Sequence, residues 1–215
     1  MSHGGVVLVA AGGLARETLE ALSSQGPVVV LDDNPDLWGS TLGGAPVVGG
    51  LEDVKRYDDH AVVVCAGRGA VRRRLVERLS DVGVDADRFM TVVHRSVTVP
   101  ASCTVGAGTI LLAGVVLTAD VRLGSHVVAM PHVTFTHDDV VDDYATFAAG
   151  VSLGGSVHVG SGAYLGMNAS VREGLSVGAD SVLGMGAALI RGLPAGETWA
   201  GVPARPLGDN STGES

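Results

Sequence analysis

Aromatic side chains make up only 4% of this 215-residue chain. A core built on large rings is therefore excluded, and small aliphatic side chains must fill the interior. Cysteine is nearly missing too. Cys65 and Cys103 lie in apolar surroundings, which predicts two buried thiols instead of a disulfide and suits a reducing compartment. Basic residues are few and almost all Arg, so the net charge is -9. That balance argues against nucleic acid or anionic membrane as a partner, since both need a basic face. The one basic cluster, "RGAVRRRLVER", reads as a helix face. No apolar run is long enough to span a membrane, and the first residues lack a charged n-region with an h-region and cleavage site. The expected location is the cytoplasm.

What the chain has instead is glycine, 32 residues of it, and a 46% share of hydrophobic residues. Their arrangement is periodic. Stepping by six from Val99 gives Val105, Leu111, Leu117, Leu123, Ala129, Phe135, Val141, Phe147, Leu153, Val159, Leu165, Val171, Val177, Leu183 and Leu189, apolar without a miss. Average composition would make about half of such positions polar. The residue two before is mostly small or apolar, and glycine often follows, as at Gly106, Gly124, Gly154, Gly160, Gly166, Gly178 and Gly184. Period six suits neither an α-helix nor an alternating strand. It predicts a parallel β-helix of hexapeptides, three to a triangular coil of eighteen residues. The apolar residue points inward, coils stack at roughly 4.8 Å, and glycine serves the tight corners.

The N-terminal part follows a different grammar. "VVLVA", "PVVVLDD" and "HAVVVCAG" read as buried strands, and "AGGLARETLEAL" and "RGAVRRRLVERLSDVG" as helices. Alternating strands and helices predict a small Rossmann-like parallel sheet. The turn at Gly12 and Gly13 lacks a complete GxGxxG pattern, so it carries no dinucleotide assignment by itself. Ligands of such sheets bind at the carboxyl ends of the strands, where Gly12, Gly13, Asp32, Asp33 and Gly67 fall. Residues 1–92 are thus expected as an α/β domain, 93–193 as an all-β parallel β-helix, and 194–215 as a C-terminal cap and flexible tail.

The stretch "MPHVTFTHDD" carries the chemistry. Phe135 is an inward position, so His137 should project from a corner, with Ala119 and Gly155 eighteen residues away on either side. A neutral imidazole with an ordinary pKa near 6.5 can take a proton, and Asp138 can hold its other nitrogen. His132 and His137 also form H-x4-H, similar to the zinc site of γ-class carbonic anhydrases, which share this β-helix. A third ligand in stacking register would fall at Ser96, and His94 and His126 are out of register, so no metal is expected. His126 and His158 are expected to be ordinary surface residues.

The whole chain resembles the sugar O-/N-acyltransferases of the sialic acid O-acetyltransferase (NeuD-like) and UDP-4-amino-sugar N-acetyltransferase (PglD-like) type. The resemblance rests on "AAGGLARETLEAL", "LDDNP", "AGRGAVR", "THDDVVDDY", "SLGGSVHVGSGAYLGMNASV" and the closing "GVPAR", in that order. It implies a left-handed β-helix working as a homotrimer, with acetyl-CoA between neighbouring prisms. His137 would be the general base, Asp138 its orienting acid, and the Gly155 N–H an oxyanion donor. Met167 and Arg205 would contact the donor. Gly12, Gly13, Asp32, Asp33, Gly67 and Arg72 would hold a nucleotide-linked sugar, with Met130 and His132 lining the acceptor pocket. The implied activity is N-acetylation of a UDP-4-amino sugar. Alternatives are O-acetylation, a γ-carbonic-anhydrase-like zinc enzyme, or a non-catalytic nucleotide-sugar-binding trimer. The chain departs from the family pattern at Leu14, Arg16, Thr136, "MPH" and Thr146, which points to an altered acceptor site.

Overall fold

The computed structural model describes residues 4–22 and 26–207. The tail after Leu207, expected to be disordered, lies outside the described residues. The N-terminal unit runs β1 (Val6–Val9), α1 (Gly13–Ala21), β2 (Val28–Leu31), β3 (Thr41–Leu42), β4 (Ala45–Gly49), β5 (Ala61–Val64) and α2 (Gly69–Asp81). Its sheet has the order β3-β4-β2-β1-β5. β1 pairs in parallel with both β2 and β5, and both β1 and β5 are wholly buried, which is why they read as continuous valine runs. β3 and β4 form a hairpin on the far edge, two strands more than the sequence pattern suggested. The helices cover the sheet through Leu14, Ala15 and Ala21 of α1, and Val76 and Leu79 of α2. Each fully buried aliphatic side chain contributes roughly 1.5–3 kcal/mol.

From Val92 onward the chain winds into a parallel β-helix of two-residue strands. Leu123 lies opposite Val105 and Val141, Ala129 opposite Leu111 and Phe147, each pair eighteen residues apart. The prism has three faces. The largest contains Ile110–Leu111, Val128–Ala129 and Thr146–Phe147 and carries the N-terminal unit. A second contains Val116–Leu117 and Thr134–Phe135, and a third Arg122–Leu123 and Val140–Val141. The predicted column points inward, as Phe135, Phe147, Leu153 and Leu165 show, and so does the small or apolar column two residues before, Val133, Ala145, Val151 and Ala163, all buried in one core. The free thiols Cys65 and Cys103 are buried, as expected.

Glycine has two separate jobs in the coils. Positive φ recurs every six residues from Gly108 to Gly186, and polar residues occupy many of these corners: Asp120, His126, His132, Asp138, Tyr144, Ser156, Asn168 and Asp180. Asp and Asn tolerate this region through local hydrogen bonding. The glycines just after the inward residue have ordinary φ. A Cβ at Gly160 or Gly166 would stand 2.6 Å from the backbone nitrogen of Ala179 or Met185 in the next coil. Close stacking, not dihedral freedom, requires them.

The coil does not stop at Leu193. Thr198–Ala200 pairs in parallel with Val182–Leu183, and Trp199 enters the core, so the segment expected as a cap completes the prism. Arg205–Pro206 then folds back antiparallel. The two units share a core of Val6, Leu8 and Val30 with Ile110, Leu112 and Val128. His126, expected at the surface, is buried in this seam. It stacks on Tyr144 at 5.2 Å, meets the edge of Phe89 at 4.9 Å, and its Nδ1 has no hydrogen-bond partner. Burial, and secondarily the nearby Arg72 cation, push its pKa down to about 4, so it is neutral. His158 is exposed as expected and pairs with Asp142 at 3.1 Å.

Candidate active site

The vertex between the second and third faces lies opposite the face that carries the N-terminal unit. Residues 136–139 form one of its corners. Phe135 anchors it from inside, edge-on to Phe147 at 4.9 Å. Asp138 takes φ 62°, its N–H donating to Ala119 O at 3.0 Å, while the Ser156 N–H donates to His137 O at 2.8 Å. His137 therefore sits between Ala119 and Gly155, at the register predicted from the repeat.

The imidazole Nδ1 lies 2.9 Å from Asp138 Oδ2, and both side chains are more than half exposed. An ionised carboxylate only accepts, so this bond places the proton on Nδ1 and leaves the Nε2 lone pair free as a base. The ring stands directly over Gly155, where any Cβ would collide with its Cε1 and Nε2. Gly155 thus makes room for the base itself, and its N–H has no acceptor among the described residues. A second acid was missed at the sequence level. Asp139 is fully buried, accepting the Thr136 N–H at 2.8 Å and the Val157 N–H at 2.9 Å. Burial raises its pKa to about 6 against those two bonds. Its signal was its place in the repeat: Asp138 takes the positive-φ corner, whereas Asp139 stands two before Val141, in the inward column of Val133 and Ala145.

His132 sits at a different vertex, between the first and second faces, with φ 63° and its N–H on Ala113 O. It and His137 cannot share an ion within one chain. No cluster of three His, Cys, Asp or Glu side chains suited to a metal occurs among the described residues.

The carboxyl ends of β1 and β2 form a small pocket of about 180 Å3, lined by Ala10, Asp32, Asp33 and Leu51 among others. Asp32 braces it by accepting the Ala11 N–H at 2.7 Å and the Asn34 N–H at 2.9 Å. Asp33 accepts from Leu51 N at 3.1 Å and Arg78 at 2.6 Å, and the Arg78 guanidinium holds its pKa below the usual carboxylate value. Gly12 caps α1 and, with Gly13, faces open space. Trp38, which the motif reading passed over, is half-exposed beside this pocket, its indole N–H on Asp32 O at 2.8 Å. A larger cleft of about 690 Å3 separates the loop after β5 from the prism. Gly67, Arg68, Met130, Tyr164 and Ser181 line it.

Gly67 and Met130 thus come together in the cleft, whereas His132 does not line it. Arg72 does not fit the expected contact with an acceptor. It is wholly buried, and its guanidinium is spent on protein oxygens. Met167 is half-exposed at the vertex shared with His132, and Arg205 is exposed near the C-terminal end. No helix among the described residues is long and apolar enough to cross a membrane.

Residues 5–79 match the family described as PglD N-terminal domain. No curated protein sequence matches the chain. Among solved structures, PerB from Caulobacter crescentus, in complex with CoA and GDP-perosamine, is 30% identical with a TM-score of 0.87, over 95% of this chain and 98% of PerB. The acetyltransferase domain of PglB from Neisseria gonorrhoeae, in complex with acetyl coenzyme A, is 28% identical with a TM-score of 0.87, over 95% and 100% of the two chains. WeeI from Acinetobacter baumannii is 31% identical with a TM-score of 0.82, over 94% and 99%. With both its α/β unit and its β-helix matched end to end, the chain belongs to the PglD/NeuD-like family of sugar acyltransferases.

Proposed function

We propose that this protein is an acetyl-CoA-dependent N-acetyltransferase whose acceptor is a nucleotide-linked amino sugar. The observation that carries the reading is the exposed His137–Asp138 pair over Gly155, in a fold shared over nearly the full length with a GDP-perosamine-bound relative. Acetyl-CoA supplies an activated thioester, and the chain has surfaces that suit it. Met167 and Met185 offer exposed apolar contact, and Arg205 presents an exposed cation for phosphate. His137 Nε2 removes the proton as the neutral sugar amine attacks the thioester carbonyl, and Asp138 stabilises the imidazolium. The Gly155 N–H donates to the developing oxyanion. Collapse breaks the C–S bond, and the imidazolium returns its proton to the departing thiolate. No covalent acyl-enzyme is needed.

The working unit on this reading is a homotrimer. His137 lies at the vertex opposite the face that carries the N-terminal unit, so an acceptor held by Asp32, Asp33 and Gly67 faces away from the same protomer's base. Likewise Gly155 and Met167 lie at different vertices of one prism. A neighbouring prism brings both pairs together across a groove, and cyclic symmetry repeats the site three times. The test is a panel of UDP-, dTDP- and GDP-linked amino sugars with acetyl-CoA, read by release of free thiol, with product linkage assigned by NMR. Turnover lost in His137→Ala supports the mechanism; full turnover in that variant overturns it. Product acetylated on oxygen would move the acceptor to a hydroxyl.

A further inference from the structure

Arg72 is buried with no carboxylate beside it among the described residues, an arrangement that stability alone does not favour, since a buried charge is costly and apolar replacement is often neutral or better. Its partners show where the cation acts. Nη1 donates to Ala66 O at 2.7 Å and Gly67 O at 3.1 Å, in the loop at the carboxyl end of β5. Nε donates to His126 O at 2.9 Å, and Nη2 to Tyr144 O, Ala145 O and Thr146 Oγ1 at 2.8, 3.0 and 2.9 Å, across two coils of the prism. The Thr146 hydroxyl completes the circuit by donating to Gly67 O at 3.0 Å. Gly67 O is thus held from both sides. Beside it, Gly69 packs so closely on Tyr144 O and on Gly162 that a side chain has no room. Arg73 adds a second tie, to Ser161 at 3.0 Å.

We infer that Arg72 and Thr146 are positioning residues for the acceptor: they clamp the Ala66–Gly69 loop to the β-helix and fix the width of the 690 Å3 cleft before a ligand arrives. This rests on the proposed function, which places the nucleotide-linked sugar at that loop. A pre-set loop costs the ligand no ordering, so losing the clamp should weaken acceptor binding while leaving the distant His137 corner intact.

The experiment compares Thr146→Val with Thr146→Ser in the full chain. Loss of the hydroxyl, which donates to Gly67 O and accepts from Arg72, predicts a rise in KM for the nucleotide sugar of about three- to tenfold in Thr146→Val. The expected kcat and KM for acetyl-CoA are unchanged, and Thr146→Ser restores the acceptor KM. Amide exchange at Gly67–Ala70 should quicken in Thr146→Val with Tm nearly constant. An unchanged acceptor KM overturns the inference, as does a parallel loss of kcat, both KM values and Tm, which would mark a merely structural role. If the unsubstituted protein acetylates no nucleotide-linked amino sugar, the functional reading fails by itself. Exchange at Gly67–Ala70 then decides the clamp, and an unaltered rate in Thr146→Val overturns it.

Discussion

At the scale of single residues, three neighbours in the chain have three different duties. His137 is exposed and carries a free Nε2, Asp138 orients it, and Asp139 is buried as a brace. General-base catalysis is worth about 10²–10⁴-fold, so His137→Ala should lose that much in kcat while still binding CoA by calorimetry. Gly155→Ala is the more discriminating change. Gly155 has no positive φ and the nearest atoms its new methyl would meet belong to the exposed imidazole, so the ring should swing aside. The expected result is a sharp fall in kcat with Tm nearly unaltered. His126 makes a pH prediction. Its folded pKa of about 4 lies below its ordinary 6.5, so the unfolded chain binds the extra proton first as pH falls. Stability should be full above about pH 6.5 and lost on the way down to about pH 4, by up to about 3 kcal/mol. Asp139, raised to about 6, acts in the opposite sense over part of that range. Urea melts of His126→Asn, which keeps a residue tolerant of positive φ, should therefore show more residual stability at pH 4.5 relative to pH 7 than the unsubstituted protein. An identical pH profile would refute this.

At the scale of elements, the hexad is the unit, and its corner closes through side chains as well as turns. Asp139→Ala leaves the half-buried Thr136 and the buried Val157 N–H groups without partners, at a cost of about 1–3 kcal/mol for the buried one, and the loss should appear in Tm. The strand and corner positions were legible because burial on one side of a two-residue strand imposes a strict period, and coils eighteen residues apart pair in register. The edge hairpin β3–β4 was not legible. Its strands are short and flanked by glycine, and only β2 beside them makes "APVVG" a strand. Nor was the role of glycine visible from composition. Positive φ at the corners falls largely to polar residues, and close coil contact claims the glycines after each inward position.

At the scale of the whole molecule, the placement of the α/β unit on one face decides how the chemistry can be assembled. On the proposed reading, His137 at the opposite vertex serves the acceptor site of a neighbouring protomer. Mixing His137→Ala with a variant disabled at the nucleotide pocket, Asp33→Arg, should restore activity in shared trimers, to about a quarter of full activity for random assembly. Each variant alone should stay inactive, and no gain on mixing would mean that each protomer works by itself. Light scattering checks the trimer directly.

The sequence alone determined the two-unit architecture, the eighteen-residue register and the exposed position of His137 over Gly155, because a period enforced by a buried core leaves no freedom in which side chains face out. It also separated His132 from His137 by placing them at different corners. Only the tertiary structure decided what the seam between the units contains. It turned Arg72 from a candidate ligand contact into a clamp, buried His126, and brought Gly67 and Met130 into one cleft. Those contacts join residues 54 to 79 positions apart across two unrelated patterns, and no periodicity within either unit encodes how the two are docked.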